Sequence, residues 1–308
     1  MCGRTGLSLS EDQVKCACSY KPASRDLYSK PEWLHEYNDG KKYTPSYNIA
    51  PTDVTPVLIS AAKFKNSVQT ERVLKPMMWG IIPPWHKGNY RNHNLSTNNC
   101  RLEGIQGSKL YNPILQSGGR CVIVVEGFYE WQTTNNSKSK QPYYIYAPQD
   151  NDVKIDDPLS WNNSFDKKNG WKGVKLLHMA GLYNMWQNED VIMYSYSVIT
   201  MDSNSTLDWL HHRMPAILDN EQQIDAWLNI SDVDPHMALA YLKPVKILSW
   251  HPVSTLVNNS RNKSVDCNKI ITLDTKMKSS QKTLTGWFVK AEKRKCDGET
   301  SSKSKQPK

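Results

Sequence analysis

Apolar residues along this chain fall mostly in short runs rich in β-branched side chains and bounded by Gly, Pro, Asn or Asp. Runs of that kind predict strands. They are found at Pro56–Ile59, Met77–Ile82, Cys121–Val125, Tyr143–Tyr146, Leu176–Tyr183, Val191–Thr200 and Val245–Leu248. Helical spacing is rarer. Residues 8–20 and 31–38 predict short helices, and Pro235–Leu242 predicts another. Asp219 reads as the N-cap of a helix through Leu228 that places Ile224, Trp227 and Leu228 on one face. Pro45–Thr52 is a proline-bracketed loop, and the Asn/Asp-rich stretch 148–170 reads as a surface loop. The pattern predicts an α+β fold: one mostly antiparallel, β-rich domain over residues 1–273 with peripheral helices. Residues 274–308 are Lys/Ser-rich with almost no apolar content and read as a disordered basic tail.

Composition narrows the function classes. The 308 residues suffice for a sizeable core, and 11 Trp and 15 Tyr against 4 Phe favour half-buried clefts and stacking surfaces. Seven Cys form no CxxC pair, and no His spacing suits zinc, so neither a metal nor another cofactor is expected. The cysteine pattern fits a reducing compartment. With no apolar run near ~20 residues and no signal peptide at the start, no membrane partner is expected. Of the net charge of +9, residues 275–308 carry +7. The folded part is nearly neutral, so any nucleic-acid contact there must come from individually placed arginines.

Candidate chemistry starts at Met1-Cys2-Gly3-Arg4. Methionine before a small residue is normally trimmed, which would leave Cys2 with an α-amine and a thiol on neighbouring carbons. An amine of ordinary pKa ~7.8 condenses with an aldehyde, and the adjacent thiol closes the imine to a thiazolidine. Three further polar clusters sit at the ends of apolar segments: Asn98–Glu103, Glu126–Trp131 and Leu210–Pro215. Together they offer an amide, a carboxylate, an imidazole and arginines.

The motifs Met1–Arg4, Tyr47–Thr52, Trp79–Trp85, Asn99–Glu103, Gly127–Trp131, His211–Pro215 and Val257–Asn259 occur here in one order. In that order, over residues 1–270, the chain resembles the SOS response-associated peptidase (SRAP) family. The resemblance implies binding to abasic sites in single-stranded DNA at replication forks and cross-linking through Cys2. It further implies that Asn99 holds the new N-terminus, Glu130 moves protons at the amine, and His211 protonates the sugar ring oxygen. Arg4, Arg101 and Arg213 become candidate phosphate contacts, Trp79, Trp85 and Trp131 candidate base-stacking groups, and Thr200 a pocket hydroxyl. A monomeric protein in the nucleus, with cytoplasmic residence left open, fits this reading. Two alternatives remain: a cysteine-type peptidase that removes its own Met1, and a reader that binds lesions without a covalent bond. In the tail, Gln281, Leu284, Trp287 and Phe288 have the spacing of a PIP-box, which resembles the motif that docks on the sliding clamp PCNA.

Overall fold

The computed structural model describes residues 2–22, 24–34, 38–64, 68–134 and 140–273. The tail motif at 281–288 therefore lies outside the described residues. Met1–Ile271 forms one compact unit. Its larger sheet contains β4 (Val54–Ser60), β5 (Arg72–Trp79), β7 (Arg120–Val125), β12 (Leu177–Asn188) and β13 (Val191–Asp202). These five run β13-β12-β7-β4-β5, and a parallel pairing of β13 with β5 at Ser195–Met78 and Tyr196–Trp79 closes them into a barrel. Every residue of β5 and β7 is buried, which is why β7 reads as a continuous apolar run from Cys121 to Val125, whereas buried Arg72 and Lys75 hide the first half of β5. On the barrel's rims, β2 (Glu32–Trp33) joins β5, while β6 (Asn99–Arg101) and β14 (Arg213–Pro215) join β13.

A second, wholly antiparallel sheet has the order β15-β9-β8-β1-β3, with β1 at Arg4–Leu7, β3 at Ser46–Ile49, β8 at Gly127–Trp131, β9 at Pro142–Tyr146 and β15 at Ser249–Pro252. A small hairpin, β10 (Ser164–Asp166) with β11 (Gly170–Lys172), completes the strands. The two sheets share chain at Glu126, the single residue between β7 and β8. Gly127 must be glycine there: a Cβ would stand 2.5 Å from Tyr144 Cζ and 2.6 Å from the Ile145 carbonyl oxygen.

Among the described residues four α-helices cover the outside. α1 (Glu11–Ala17) starts at a Ser10/Gln13 capping box, and α2 spans Tyr111–Gln116. α3 (Glu221–Leu228) buries Ile224, Trp227 and Leu228, and its Trp227 indole donates to the Cys121 carbonyl at 2.8 Å. α4 (Pro235–Ala240) begins with proline behind an Asp234 cap. Among the described residues no helix is long and apolar enough to cross a membrane.

Several sequence expectations shift. Residues 31–38 do not start a helix: Glu32–Trp33 pairs with β5, and Leu34 N–H donates to the Leu74 carbonyl. Open carbonyls on the β5 edge outweigh local helix propensity. Ser46–Ile49 is a strand, with Pro45 and Pro51 at its flanks where they cost no ladder bond. Asn220, not Asp219, caps α3 through the Gln223 N–H. The strand expected at Val245–Leu248 begins only at Ser249. The 148–170 stretch, expected as a surface loop, contains a 3-10 turn at Pro158–Ser160 and the strand β10, and it is anchored by buried Ile155 and Trp161.

Glu126 is fully buried. Its Oε1 accepts from Ser8 N at 2.7 Å, Ser8 Oγ at 2.9 Å and Leu9 N at 3.2 Å, while Oε2 is buried without a partner. Burial pushes its pKa from 4.5 up to about 7, against those hydrogen bonds. Between these two values the folded protein holds a proton that the unfolded chain releases, so folding stability contributed by Glu126 falls as pH rises across that window. Glu126→Gln, which mimics the protonated acid, should remove a pH-dependent loss of about 3 kcal/mol. Denaturant midpoints measured from pH 4.5 to 8 check this; an unchanged pH slope contradicts it.

Candidate active site

Four separate segments deliver the reactive groups to one place. Cys2 stands just before β1, which lies between β8 and β3 in the second sheet, and Arg4 pairs with Tyr129 of β8. That register sets Cys2 and Gly3 beside the end of β8, which carries Glu130. From the barrel side, β6 brings Asn99, whose Nδ2 donates to the Cys2 carbonyl at 2.8 Å. The turn before β14 brings His211. It is stitched to the end of β8 by Thr133 N–H, which donates to the Leu210 carbonyl at 3.0 Å.

The electrostatics follow from burial. Cys2 is 1% exposed, and desolvation followed by the nearby Glu130 charge pushes its thiol up to about 12. The thiol is therefore protonated at rest, well above the ordinary value. Burial also lowers the His211 pKa, partly offset by Glu130, which disfavours the imidazolium. Its Nδ1 lies 2.9 Å from the Arg213 backbone nitrogen and 3.2 Å from the Arg213 carbonyl, so the β14 backbone holds the ring in place. Asn99 Oδ1 is buried without a hydrogen-bond partner among the described residues. A protonated thiol, a carboxylate, an imidazole and an amide oxygen form an acid–base set. Among the described residues no cluster suits a metal.

The arginines separate. Arg101 is exposed at the end of β6. Arg4 is half-buried and reaches the Gly3 and Asn258 carbonyls at 3.5 and 3.4 Å. Arg213 is engaged within the protein. It is 5% exposed and binds Glu103 through both Nη atoms at 2.8 and 3.0 Å, Asp202 at 2.6 Å and the Thr200 carbonyl at 2.7 Å. Its charge is spent bolting β6 and β14 to β13. Thr200 itself is 1% exposed and donates to the Cys100 carbonyl, so its hydroxyl faces the protein.

The tryptophans separate likewise. Trp79 is 0% exposed, stacked on Tyr196 at 6.2 Å, and its indole donates to the Asn98 carbonyl at 2.9 Å. It is core and offers no face to a base. Trp85 is 55% exposed. Trp131 is half-buried, with Nε1 donating to Asn258 Oδ1 at 2.7 Å.

Sequence reasoning gave no role to Asn48, although the residue stands inside a quoted motif. Its fully buried Nδ2 lies 3.2, 3.0 and 2.9 Å from the carbonyls of Val257, Asn259 and Asn262. It fastens the loop that holds Asn258 against Arg4 and Trp131. Its place inside the Tyr47–Thr52 motif was the only signal the sequence offered.

Against known proteins, residues 1–260 match the model of the family described as SOS response associated peptidase (SRAP). The chain belongs to this family. It is 40% identical over 297 residues to the abasic site processing protein HMCES of Xenopus tropicalis, covering 94% of this chain and 85% of that one. It is 30% identical over 226 residues to the abasic site processing protein YoqW of Bacillus subtilis, covering 72% and 85%. Among solved SRAP-like folds, a Bacteroides thetaiotaomicron protein superposes with a TM-score of 0.62 at 20% identity, covering 88% of this chain and all of that one.

Arg213→Lys should lower stability by about 1–2 kcal/mol, because an ammonium cannot replace the bidentate grip and the carboxylates it loses are largely exposed. Urea unfolding measures this, and a variant as stable as the parent would refute the structural assignment.

Proposed function

We propose that this SRAP protein processes abasic sites in single-stranded DNA by capturing them covalently on Cys2 once Met1 has been removed. The observation that carries the reading is the Asn99–Cys2 hydrogen bond, which fixes the reactive residue beside Glu130 and His211. Its relatives are named for abasic site processing.

The steps balance without an oxidant. His211 donates to the sugar ring oxygen and favours the open aldehyde. The freed α-amine attacks C1′, and loss of water gives an imine. The thiol then adds across the C=N bond: sulfur bonds to carbon, and its proton ends on nitrogen. Because burial keeps the thiol protonated, ring closure needs a base, and Glu130 is the carboxylate whose charge the thiol feels. Asn99 Oδ1 is the acceptor for the new N-terminal amine, which holds it in attacking geometry. Arg101 and Arg4 supply phosphate contacts without reading sequence. Exposed Trp85, and Trp131 beside it in the motif set, supply stacking surfaces.

The same protonated thiol weighs against a peptidase built on a thiolate–imidazolium pair. In the tail, Gln281, Leu284, Trp287 and Phe288 are assigned to docking on the sliding clamp, which places the work of the protein at nuclear replication forks.

A denaturing gel tests the reading with DNA carrying one abasic site beside undamaged DNA. The parent protein should give a heat-stable shifted band with the lesion alone, and Cys2→Ala should give none. Cys2→Ser keeps the amine and should form only an imine that borohydride traps and heat reverses. A Cys2→Ser bond as durable as the parent's would rule out the thiazolidine. Glu130→Gln should slow capture by about 100-fold in single-turnover kinetics; an unchanged rate would remove Glu130 from the proton path.

A further inference from the structure

A cleft of about 520 Å³ adjoins the start of β6, one residue from Asn99. Its walls include Lys41, Arg91, His93, Thr97, Asn98 and the Thr52 turn. The size lies within the range of sites that enclose a small molecule. The floor is rigid: Trp79 lines it from the core, and its indole holds the Asn98 carbonyl. Thr52 adopts φ +77°, a left-handed conformation that a β-branched residue rarely tolerates, and its N–H donates to the Trp79 carbonyl at 2.8 Å. Strain of this kind marks a surface whose shape is held against local preference.

The charge in the cleft has one sign. Buried Tyr90 forms a pedestal, packed edge-on against Trp186, with Lys41 Nζ 5.6 Å and Arg91 Cζ 5.4 Å from its ring centroid. Arg91 also donates to the Tyr90 hydroxyl at 3.2 Å, and that hydroxyl donates to Asp39 at 3.3 Å. Asp39 is not among the residues lining the cleft, and no other Asp or Glu lines it. His93 accepts from Leu95 N–H at Nδ1, which leaves an Nε2–H donor on a ring whose pKa is lowered by burial and by His86. Two fixed cations, a neutral donor and no lining carboxylate suit a phosphodiester.

We infer that this cleft is an extension of the reactive site that holds the backbone phosphate of a nucleotide flanking the lesion, through Lys41 and Arg91. The inference rests on the reading of the site as a binder of damaged single-stranded DNA. It gives the strand a second, fixed contact on the side of Asn99 opposite in sequence to Arg101. Because the contact lies to one side of the lesion, it makes binding depend on which flank is present.

The test uses the full chain with Cys2→Ala, so that binding is reversible, and fluorescence anisotropy with labelled oligonucleotides containing a tetrahydrofuran abasic analogue. The analogue stands centrally, at the 5′ end or at the 3′ end. Adding Lys41→Ala and Arg91→Ala should weaken binding to the central analogue about tenfold at 0.1 M salt and flatten the log–log salt slope by about 1.4, two contacts at ~0.7 each. With one of the end-placed analogues, which leaves the cleft empty, the two proteins should bind equally. Lys41→Arg with Arg91→Lys, which keeps both charges, should restore the slope, and this separates charge from folding. Equal binding and slope on the central analogue, or equal losses on both end-placed ones, would overturn the inference. If the capture chemistry alone is wrong, protein with Cys2 intact forms no heat-stable band while the anisotropy result stands. If the cleft alone is wrong, the band forms and the double variant binds like its parent.

Discussion

One hydrogen bond, from Asn99 Nδ2 to the Cys2 carbonyl, couples the two sheets at the point where chemistry would occur. Asn99 is held by β6 against the barrel strand β13, whereas Cys2 leads into β1 of the second sheet, beside its central strand β8. A residue next to a chain terminus would ordinarily sample many positions, and a reaction in which two atoms of one residue act in turn on one carbon cannot proceed from most of them. The rest of the architecture serves this bond. Glu126 clamps Ser8 and Leu9 at the far end of β1, and Tyr43 donates from its hydroxyl to the Leu7 and Leu9 carbonyls that bracket the same turn. With β1 pinned at both ends, its register against β8 is fixed, and so is the approach of Cys2 to Glu130.

Burial does two things at once in this arrangement. It removes the thiol from water and holds it protonated, so the group is a poor target for oxidants and stray electrophiles. It also lowers the pKa of His211, which disfavours a competing cation beside the thiol. A thiol of this kind is not activated in advance. It depends on a neighbouring base, which confines its reactivity to molecules that occupy the site correctly.

The long barrel strands were legible because burial on both faces writes itself as an unbroken apolar run, as in Cys121–Val125. The second sheet was harder to read. β1, β3 and β15 are short and mix Gly, Ser, Asn, His and Pro with apolar residues, and their conformation comes from partners far away in sequence. The site shows the same division. Cys2, Asn99, Glu130 and His211 stood out as polar groups at the ends of apolar segments, and the fold brings them together. Arg213 and Arg101 could not be told apart by residue type or motif. Only the fold shows that Glu103 and Asp202 claim the first and leave the second at the surface. Trp79 likewise needed its closing strand, β13, before its place in the core was evident.

The anchoring of residues 257–262 by Asn48 spans more than 200 positions of sequence. Along the chain Cys2 precedes His211 and the Asn258 loop, so these partners are made after it. Contacts this distant form late, since the chain between them must be ordered first. The emerging chain therefore carries Cys2 long before it carries His211 and the supporting loop. Until the fold closes, this thiol has none of its later neighbours, and its burial is a property of the finished domain alone.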